Sequence, residues 1–183
     1  MTIEIANIVG SGSLHRELKL EALESDLSTA YLEHDPSNYH GLYVRLVEDG
    51  PLITVYRSGK YIVTGATSFD ELRETSEVFL RNLVQLGILD ESPETGFTAQ
   101  NVVCTEELPS EVDLTALSIG LGLESVEYEP EQFPGLIYRP TELPAVVLVF
   151  ANGKVVITGA PDVETAEKTF ESLQTQVDRY LPG

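Results

Sequence analysis

Apolar and polar residues alternate along several short segments of the chain, and this period of two predicts β-strands. The segments IEIANIV and FTAQNVV alternate in this way. GLYVRLV, PLITVYR and KYIVTGA follow the first of them, whereas GLIYR, AVVLVF and KVVITGA follow the second. Turns of the SGK and NGK type join neighbouring strands. Those strands must be antiparallel, because a parallel pair needs a crossover of roughly a dozen residues.

Helical periodicity separates and follows the strands. LKLEALESDL and SEVDLTALSIGL predict two short amphipathic helices. A longer helix follows each TGA segment: the first begins with a capping box of Ser68 and Glu71 and stops at Gly87, and the second begins at Asp162. The predicted apolar stripes are Leu72, Phe79, Leu83 and Leu86 in the first long helix, and Val163, Ala166, Phe170, Leu173 and Val177 in the second.

The two halves of the chain are copies of one unit. Aligning the chain with itself at an offset of 94 residues places Asn7 on Asn101, Arg45 on Arg139 and the first TGA on the second, without a gap. The boundary falls in the segment LDESPETG, so we predict one repeat over residues 1–91 and another over residues 95–183. Two copies form a pseudo-symmetric pair, in contrast to the longer arrays of solenoid proteins.

Both faces of the predicted strands are apolar. Two helices in each repeat cover only one face, so the other is left bare. Such a face marks a binding surface, or it is covered by self-association. The face expected beneath the helices carries Ile53, Val55, Val63, Val147, Val149 and Ile157, and the bare face carries Leu52, Tyr56, Ile62, Val146, Leu148, Phe150 and Val156.

The net charge of −19, from 30 acidic and 11 basic residues, changes this picture. Taken alone it argues against nucleic acid, because lysine and arginine drive phosphate binding. However, an acidic composition also keeps proteins hydrated in concentrated salt. The strands predicted over residues 5–11, 41–47, 52–66, 99–105, 133–139 and 145–160 contain no acid. We therefore expect all 30 acids in helices, loops and termini, and an apolar, weakly basic sheet face.

Other chemistry is sparse in the sequence. The single cysteine, Cys104, excludes an internal disulfide and is expected to be a small buried residue. His15, His34 and His40 lack the spacing of a metal site and are expected on the surface. The sequence has neither a phosphate loop nor a nucleophile elbow, so we expect no cofactor and no enzymatic activity. Without a recognisable signal peptide or membrane span, the expected location is cytoplasmic.

Three segments, QNVV, YEPEQFPGLIYR and VFANGKVVITGA, resemble the TATA-box-binding protein family, and NIVGS, GLYVRL and RSGKYIVTGA are their looser counterparts in the first repeat. The resemblance covers Ile5 to about Leu181 and is closest to acidic members from halophilic archaea. It implies an α+β fold in which two pseudo-symmetric repeats form one curved antiparallel β-sheet, a saddle with helices on the convex face. It further implies that the sheet straddles the minor groove of DNA.

The resemblance also implies which residues contact DNA. Aromatic pairs kink the duplex between base steps in this family, and they match Phe133 with Phe150 and Tyr39 with Tyr56. The other implied contacts are Asn7 and Asn101 on the central base edges, Val9, Val103, Ile62, Leu148 and Val156 on the groove floor, the hydroxyls of Thr64 and Thr158, and Arg45, Arg139, Lys60 and Lys154 on the phosphates.

The partners implied by the resemblance are double-stranded A/T-rich promoter DNA, transcription factor B and, indirectly, RNA polymerase. Glu129, Glu131 and Gln132 match the loop that docks transcription factor B, although a solvated acidic loop is the simpler alternative. A prokaryotic, nucleoid-associated location follows.

Departures from the family pattern keep other functions open. The tyrosines at 39 and 56 bring a hydroxyl into a base stack, and Thr54 stands where an aliphatic residue is usual. Thr67 and Pro161 replace common lysines. We therefore interpret the chain as a divergent paralogue with three candidate functions: a general initiation factor, a regulator acting mainly through protein contacts with weak DNA binding, or a homodimer closed over the sheet face.

Overall fold

Two units with the same order of strands and helices make up the fold. The computed structural model describes residues 3–91 and 93–181. One unit comprises Asn7–Gln100, and the other comprises the rest of the described chain.

The first repeat runs through strands β1 to β5 and helices α1 and α2. Its sheet is antiparallel throughout, in the order β2-β3-β4-β5-β1. Helix α2 packs on β5, and α1 packs on β2 and β3. The elements are β1 (Glu4–Ser13), α1 (Leu20–Asp26), β2 (Tyr31–His34), β3 (Gly41–Arg45), β4 (Leu52–Tyr56), β5 (Lys60–Ala66) and α2 (Phe69–Gln85).

The second repeat has the same arrangement. Its antiparallel sheet has the order β6-β10-β9-β8-β7, with α4 packed on β10 and α3 packed on α4. The equivalent sheet order and helix positions confirm the predicted duplication. The elements are β6 (Thr98–Glu107), α3 (Leu114–Leu121), β7 (Val126–Glu127), β8 (Leu136–Tyr138), β9 (Val146–Val149), β10 (Lys154–Ala160) and α4 (Val163–Tyr180).

Side-chain caps begin both long helices where the sequence predicts them. The Ser68 hydroxyl accepts a hydrogen bond from the Glu71 N–H at 3.1 Å, and the Glu71 carboxylate accepts one from the Thr67 N–H at 2.9 Å. Asp162 accepts from the Thr165 N–H at 2.7 Å. These bonds satisfy backbone donors that have no partner within the helix.

The apolar stripes are confirmed except at the last turn of α2. Leu72, Phe79 and Leu83 are buried, but Leu86 is 41% exposed, so its assignment to the stripe was wrong. Leu86 is the C-cap residue, and the helix ends there, just before Gly87 with its φ of 74°. In α4, Ala166, Phe170 and Leu173 are buried, and Val163 and Val177 are partly buried.

Burial alternates along the strands as predicted. The helix-covered face is completely buried at Ile53, Val55, Val63, Val147, Val149 and Ile157. Thr54, between Ile53 and Val55, is also buried at 7% exposure, but the other intervening residues are only partly buried. They form what we call the open face: Leu52, Tyr56, Ile62, Val146, Leu148, Phe150 and Val156, with the other partly buried strand residues of the same parity. Each repeat therefore presents one apolar sheet face that its own helices do not bury.

Three expectations about the strands were wrong. The short edge strands β2 and β7 were not predicted, and Phe133 lies in a turn before β8 rather than in a strand. Acids do occur in strands, because β1, β6 and the two edge strands extend into acidic sequence. The acids in strands are Glu4, Glu33, Glu106, Glu107 and Glu127.

The histidines and the cysteine divide between surface and interior. His15 and His40 are exposed as expected. The His34 side chain, however, is only 4% exposed, and its Nδ1 lies 3.0 Å from a Glu24 carboxylate oxygen, so its surface assignment was wrong. Cys104 is completely buried, and burial raises the pKa of its thiol.

Candidate nucleic-acid interface

The two predicted base-reading asparagines have the same environment in the two repeats. Asn7 lies on β1, and its Oδ1 accepts a hydrogen bond from the Gly65 N–H at 2.7 Å. Asn101 lies on β6, and its Oδ1 accepts one from the Gly159 N–H at 2.7 Å. Both side chains are partly buried. The sheet of each repeat therefore carries one amide that is held by a backbone N–H near the end of a neighbouring strand, β5 or β10.

The predicted groove-floor residues all lie on the open face. Strand parity puts them on the side opposite the buried core, and all are partly exposed. The ladder places Val156 opposite both Leu148 and Thr105. The surface is apolar with interspersed hydroxyls, and it comprises Val9, Ile62 and Thr64 in the first repeat, and Val103, Leu148, Val156 and Thr158 in the second.

The second-repeat aromatic pair is assembled over a glycine. The rings of Phe133 and Phe150 meet edge to face, with centroids 5.9 Å apart and an interplanar angle of 67°. Phe133 is 37% exposed. A Cβ at Gly135 would lie 2.8 Å from Phe133 Cε1 and 3.0 Å from Phe150 Cε1. Gly135 therefore provides the space for both rings, a role that sequence analysis missed although the glycine repeats at Gly41.

The first-repeat pair is arranged differently. Tyr39, which is 40% exposed, makes its edge contact with Tyr43, with centroids 5.0 Å apart and an angle of 72°. Tyr39 and Tyr56 both line a surface pocket that also contains His34 and His40. The predicted partner of Tyr39 was Tyr56, so Tyr43 is an additional aromatic member of this site.

Two of the four predicted phosphate-binding side chains already have partners. The Arg139 guanidinium forms an ion pair of 3.0 Å with Glu127 across the β7–β8 edge. Arg45 donates a hydrogen bond to the Gly50 carbonyl. Lys60 and Lys154 are exposed, and they follow the hairpin glycines Gly59 and Gly153, which have a φ of 90°.

An acid also occupies the open face of the second repeat. Glu107 lies directly opposite Lys154 in the β6–β10 register, and its counterpart opposite Lys60 in the first repeat is Ser13. Glu107 and Lys154 line a surface pocket together with Phe150 and Asn152. The positive charge of Lys154 is therefore partly offset here.

The predicted protein-docking residues lie on the turn that leads to Phe133. The N–H groups of Gln132 and Phe133 donate to the Glu129 carbonyl at 2.9 and 3.0 Å. Glu129, Glu131 and Gln132 are all exposed. The first repeat has the same turn, in which the Tyr39 N–H donates to the Asp35 carbonyl at 2.8 Å.

The described residues form neither a metal centre nor a membrane span. Over residues 3–91 and 93–181, no three His, Cys, Asp or Glu side chains are grouped to hold a metal ion. None of the helices in these ranges combines the length and apolar character that crossing a membrane requires.

Comparisons with known proteins agree with this architecture. A family model described as "Transcription factor TFIID (or TATA-binding protein, TBP)" matches residues 2–86 and 96–180. TATA-box-binding protein C of Halobacterium salinarum is 67% identical over 99% of this chain and 100% of its own length. TATA-box-binding protein 2 of Haloferax volcanii is 43% identical over 97% of this chain and 94% of its own.

A solved structure is similar over nearly the whole chain. Methanococcus jannaschii TBP is 35% identical, with a TM-score of 0.83 over 98% of this chain and 99% of its own. This match confirms the predicted fold, and with the two matches of the family model it identifies the duplication as the family's repeat. The chain belongs to the TATA-box-binding protein family of transcription initiation factors.

Proposed function

We propose that this protein binds A/T-rich promoter DNA through the minor groove and bends it. The observation that carries the proposal is the composition of the open face, on which amide and hydroxyl donors lie among aliphatic side chains. In the minor groove, A·T pairs offer only acceptors, namely adenine N3 and thymine O2. A reader of that groove needs donors such as Asn7, Asn101, Thr64 and Thr158, together with apolar contact to the floor.

Bending is assigned to the aromatic pairs. Phe133 and Phe150 are both accessible at the edge of the open face, and their edge-to-face contact holds them together. Inserting apolar side chains costs a few kcal/mol of base stacking per step, and this cost is smallest at flexible TA steps. Sequence preference then comes largely from deformability, which suits a face with few charges. Tyr39, Tyr43 and Tyr56 are the corresponding candidates in the first repeat.

The proposal extends to a protein partner. The exposed turn of Glu129, Glu131 and Gln132 is proposed to dock transcription factor B, which in turn recruits RNA polymerase. Its carboxylates project from a backbone-bonded turn and are available to basic side chains. In this role the protein is associated with the nucleoid.

The partners of the basic residues favour a second function. In this function the protein regulates mainly through protein contacts and binds DNA weakly. Arg139 is paired with Glu127, Arg45 with the Gly50 carbonyl, and Lys154 faces Glu107. Each of these contacts competes with a phosphate. A homodimer closed over the open face is the third candidate, and sedimentation at high salt would reveal it as a tight dimer.

The test is a gel shift on a duplex that contains consecutive TA steps, with a G·C duplex of equal length as the control. We expect a shift of the TA duplex that persists or strengthens at molar salt. If the TA duplex is not shifted at any salt concentration, DNA binding is refuted. Capture of transcription factor B without DNA bending would favour the regulatory candidate.

A further inference from the structure

The hydrogen bonds from Gly65 to Asn7 and from Gly159 to Asn101 determine which end of each amide is available. A backbone N–H can only donate, so the atom 2.7 Å from it must be the carbonyl oxygen Oδ1 and not the Nδ2 amine. The amide orientation, usually ambiguous in a protein structure, is thereby set by the chemistry of its partner. Within the part of the chain that the structure describes, neither Nδ2 group donates a hydrogen bond.

The backbone of the two TGA segments makes this contact possible. Gly65 has a φ of 94° and Gly159 a φ of 76°, a left-handed conformation that disfavours side chains. The ladder register shifts at the same place, between Ile8 and Gly10 in one repeat and between Ile157 and Ala160 in the other. The irregularity frees one glycine N–H from the regular ladder, and the asparagine side chain accepts it.

We propose that Gly65 and Gly159 are positioning residues that hold the Asn7 and Asn101 amides with the Nδ2 donor toward the bound base pair. Each asparagine then selects a minor-groove edge with acceptors only and rejects the guanine N2 amine, which would oppose a donor with a donor. An amide that is free to rotate would instead turn its Oδ1 toward the guanine amine, and the protein would then bind A·T and G·C pairs alike. This inference rests on the proposed binding of the minor groove.

Inosine distinguishes the amine from the rest of the base pair. Three duplexes carry A·T, I·C or G·C at the two central positions, and I·C resembles G·C without the N2 amine. We expect the unmodified protein to bind the I·C duplex nearly as well as the A·T duplex, and the G·C duplex roughly 10-fold or more weakly, the cost of a mismatched pair.

Asn7→Asp and Asn101→Asp test whether guanine is rejected because its N2 amine meets the Nδ2 donor, or only because the amine occupies space in the groove. The carboxylate still accepts the glycine N–H but presents an acceptor where Nδ2 was. The ratio of I·C to G·C affinity should fall toward one or reverse in the Asp variants, and comparing duplexes on one protein cancels the effect of the added charge. An unchanged ratio, or equal binding of I·C and G·C by the unmodified protein, would overturn the proposal.

Amide hydrogen exchange tests the contact without DNA. In Asn7→Ala the Gly65 amide should exchange about fivefold faster or more, the loss expected for one hydrogen bond, while Gly159 keeps its rate. Asn101→Ala should give the converse, so each repeat controls for unfolding of the other. Unchanged glycine rates would refute the positioning role. Failure to bind any duplex would refute the proposed function instead, and exchange would still decide whether the glycines hold the amides.

Discussion

Replacing Phe133 and Phe150 together by alanine is expected to abolish DNA bending while leaving the protein folded. Phe133 is 37% exposed, and the pair interacts edge to face at 5.9 Å. Such a pair contributes about 0.5–1.5 kcal/mol beyond the area it buries. Each ring is partly buried and contributes about 1–2 kcal/mol through burial, so we expect the double variant to lose about 2.5–5 kcal/mol of unfolding free energy.

The matched control is Phe79→Ala, which removes the same side chain from the core. Phe79 is completely buried between α2 and the sheet, and its ring centroid lies 5.5 Å from that of Tyr61. A buried Phe→Ala change costs about 3–5 kcal/mol. For a chain of this size, each kcal/mol lowers the melting temperature by about 2–4 °C. The core variant should therefore melt at a lower temperature than either Phe133→Ala or Phe150→Ala alone.

The assay combines thermal unfolding by circular dichroism with DNA bending by fluorescence resonance energy transfer, both at molar salt. The account expects the double variant to remain folded at the assay temperature and to leave the duplex straight. A melting temperature of either single surface variant as low as that of Phe79→Ala would place that ring in a core. Normal bending by a stable double variant would show that other residues kink the duplex.

Three further predictions concern charged residues. Glu127→Gln releases Arg139 from its 3.0 Å ion pair and should strengthen DNA binding. Stability should change little, since both side chains are more than half exposed. The control is Glu131→Gln, which removes the same charge elsewhere and should affect DNA affinity less. Glu131→Arg should reduce capture of transcription factor B in a pull-down while the gel shift persists, and unchanged capture would contradict the docking turn. The hydrogen bond from Thr165 lowers the pKa of Asp162 below its usual 3.8, so the stability that this bond contributes is lost as the pH falls below about 4. Asp162→Asn can still cap α4, and its melting temperature should therefore depend less on pH between about pH 5 and 3. A pH profile identical to that of the unmodified protein would argue against this contribution.

Local patterns predicted much of the fold. The Ser68 and Asp162 caps depend on residues three positions away, and both form as expected. Alternating burial follows from the period of two, so Ile53 and Val147 could be assigned to the core. Because the two repeats align at an offset of 94 residues, each strand or helix predicted in one repeat was supported by its counterpart in the other.

Features that depend on distant pairing could not be predicted from local pattern. Strand β2 exists because Tyr31 to His34 pair with Arg45 to Leu42, and its own sequence, YLEH, has no strand periodicity. Glu127 was expected in a loop, yet pairing with β8 puts it in a strand beside Arg139. His34 was expected on the surface, yet its side chain is only 4% exposed and contacts Glu24 of α1 from β2.

The candidate site was predicted by residue but not by geometry. The asparagines and phenylalanines were named because the sequence resembles the TATA-box-binding protein family, and that resemblance does not give the contacts that hold them. The contact between Asn7 and Gly65 joins residues 58 positions apart, and only the backbone irregularity creates it. The recurrence of both partners in the second repeat, at Asn101 and Gly159, was the available signal.

The central claim is that the open face binds and bends DNA, and the end-to-end distance of a labelled duplex tests it most directly. The unmodified protein is added at molar salt to a duplex with consecutive TA steps, and energy transfer between its ends is measured. The account predicts a saturable shortening of that distance, and little or none on a G·C duplex of equal length. A bound duplex of unchanged length, or no binding at any salt concentration, would contradict it.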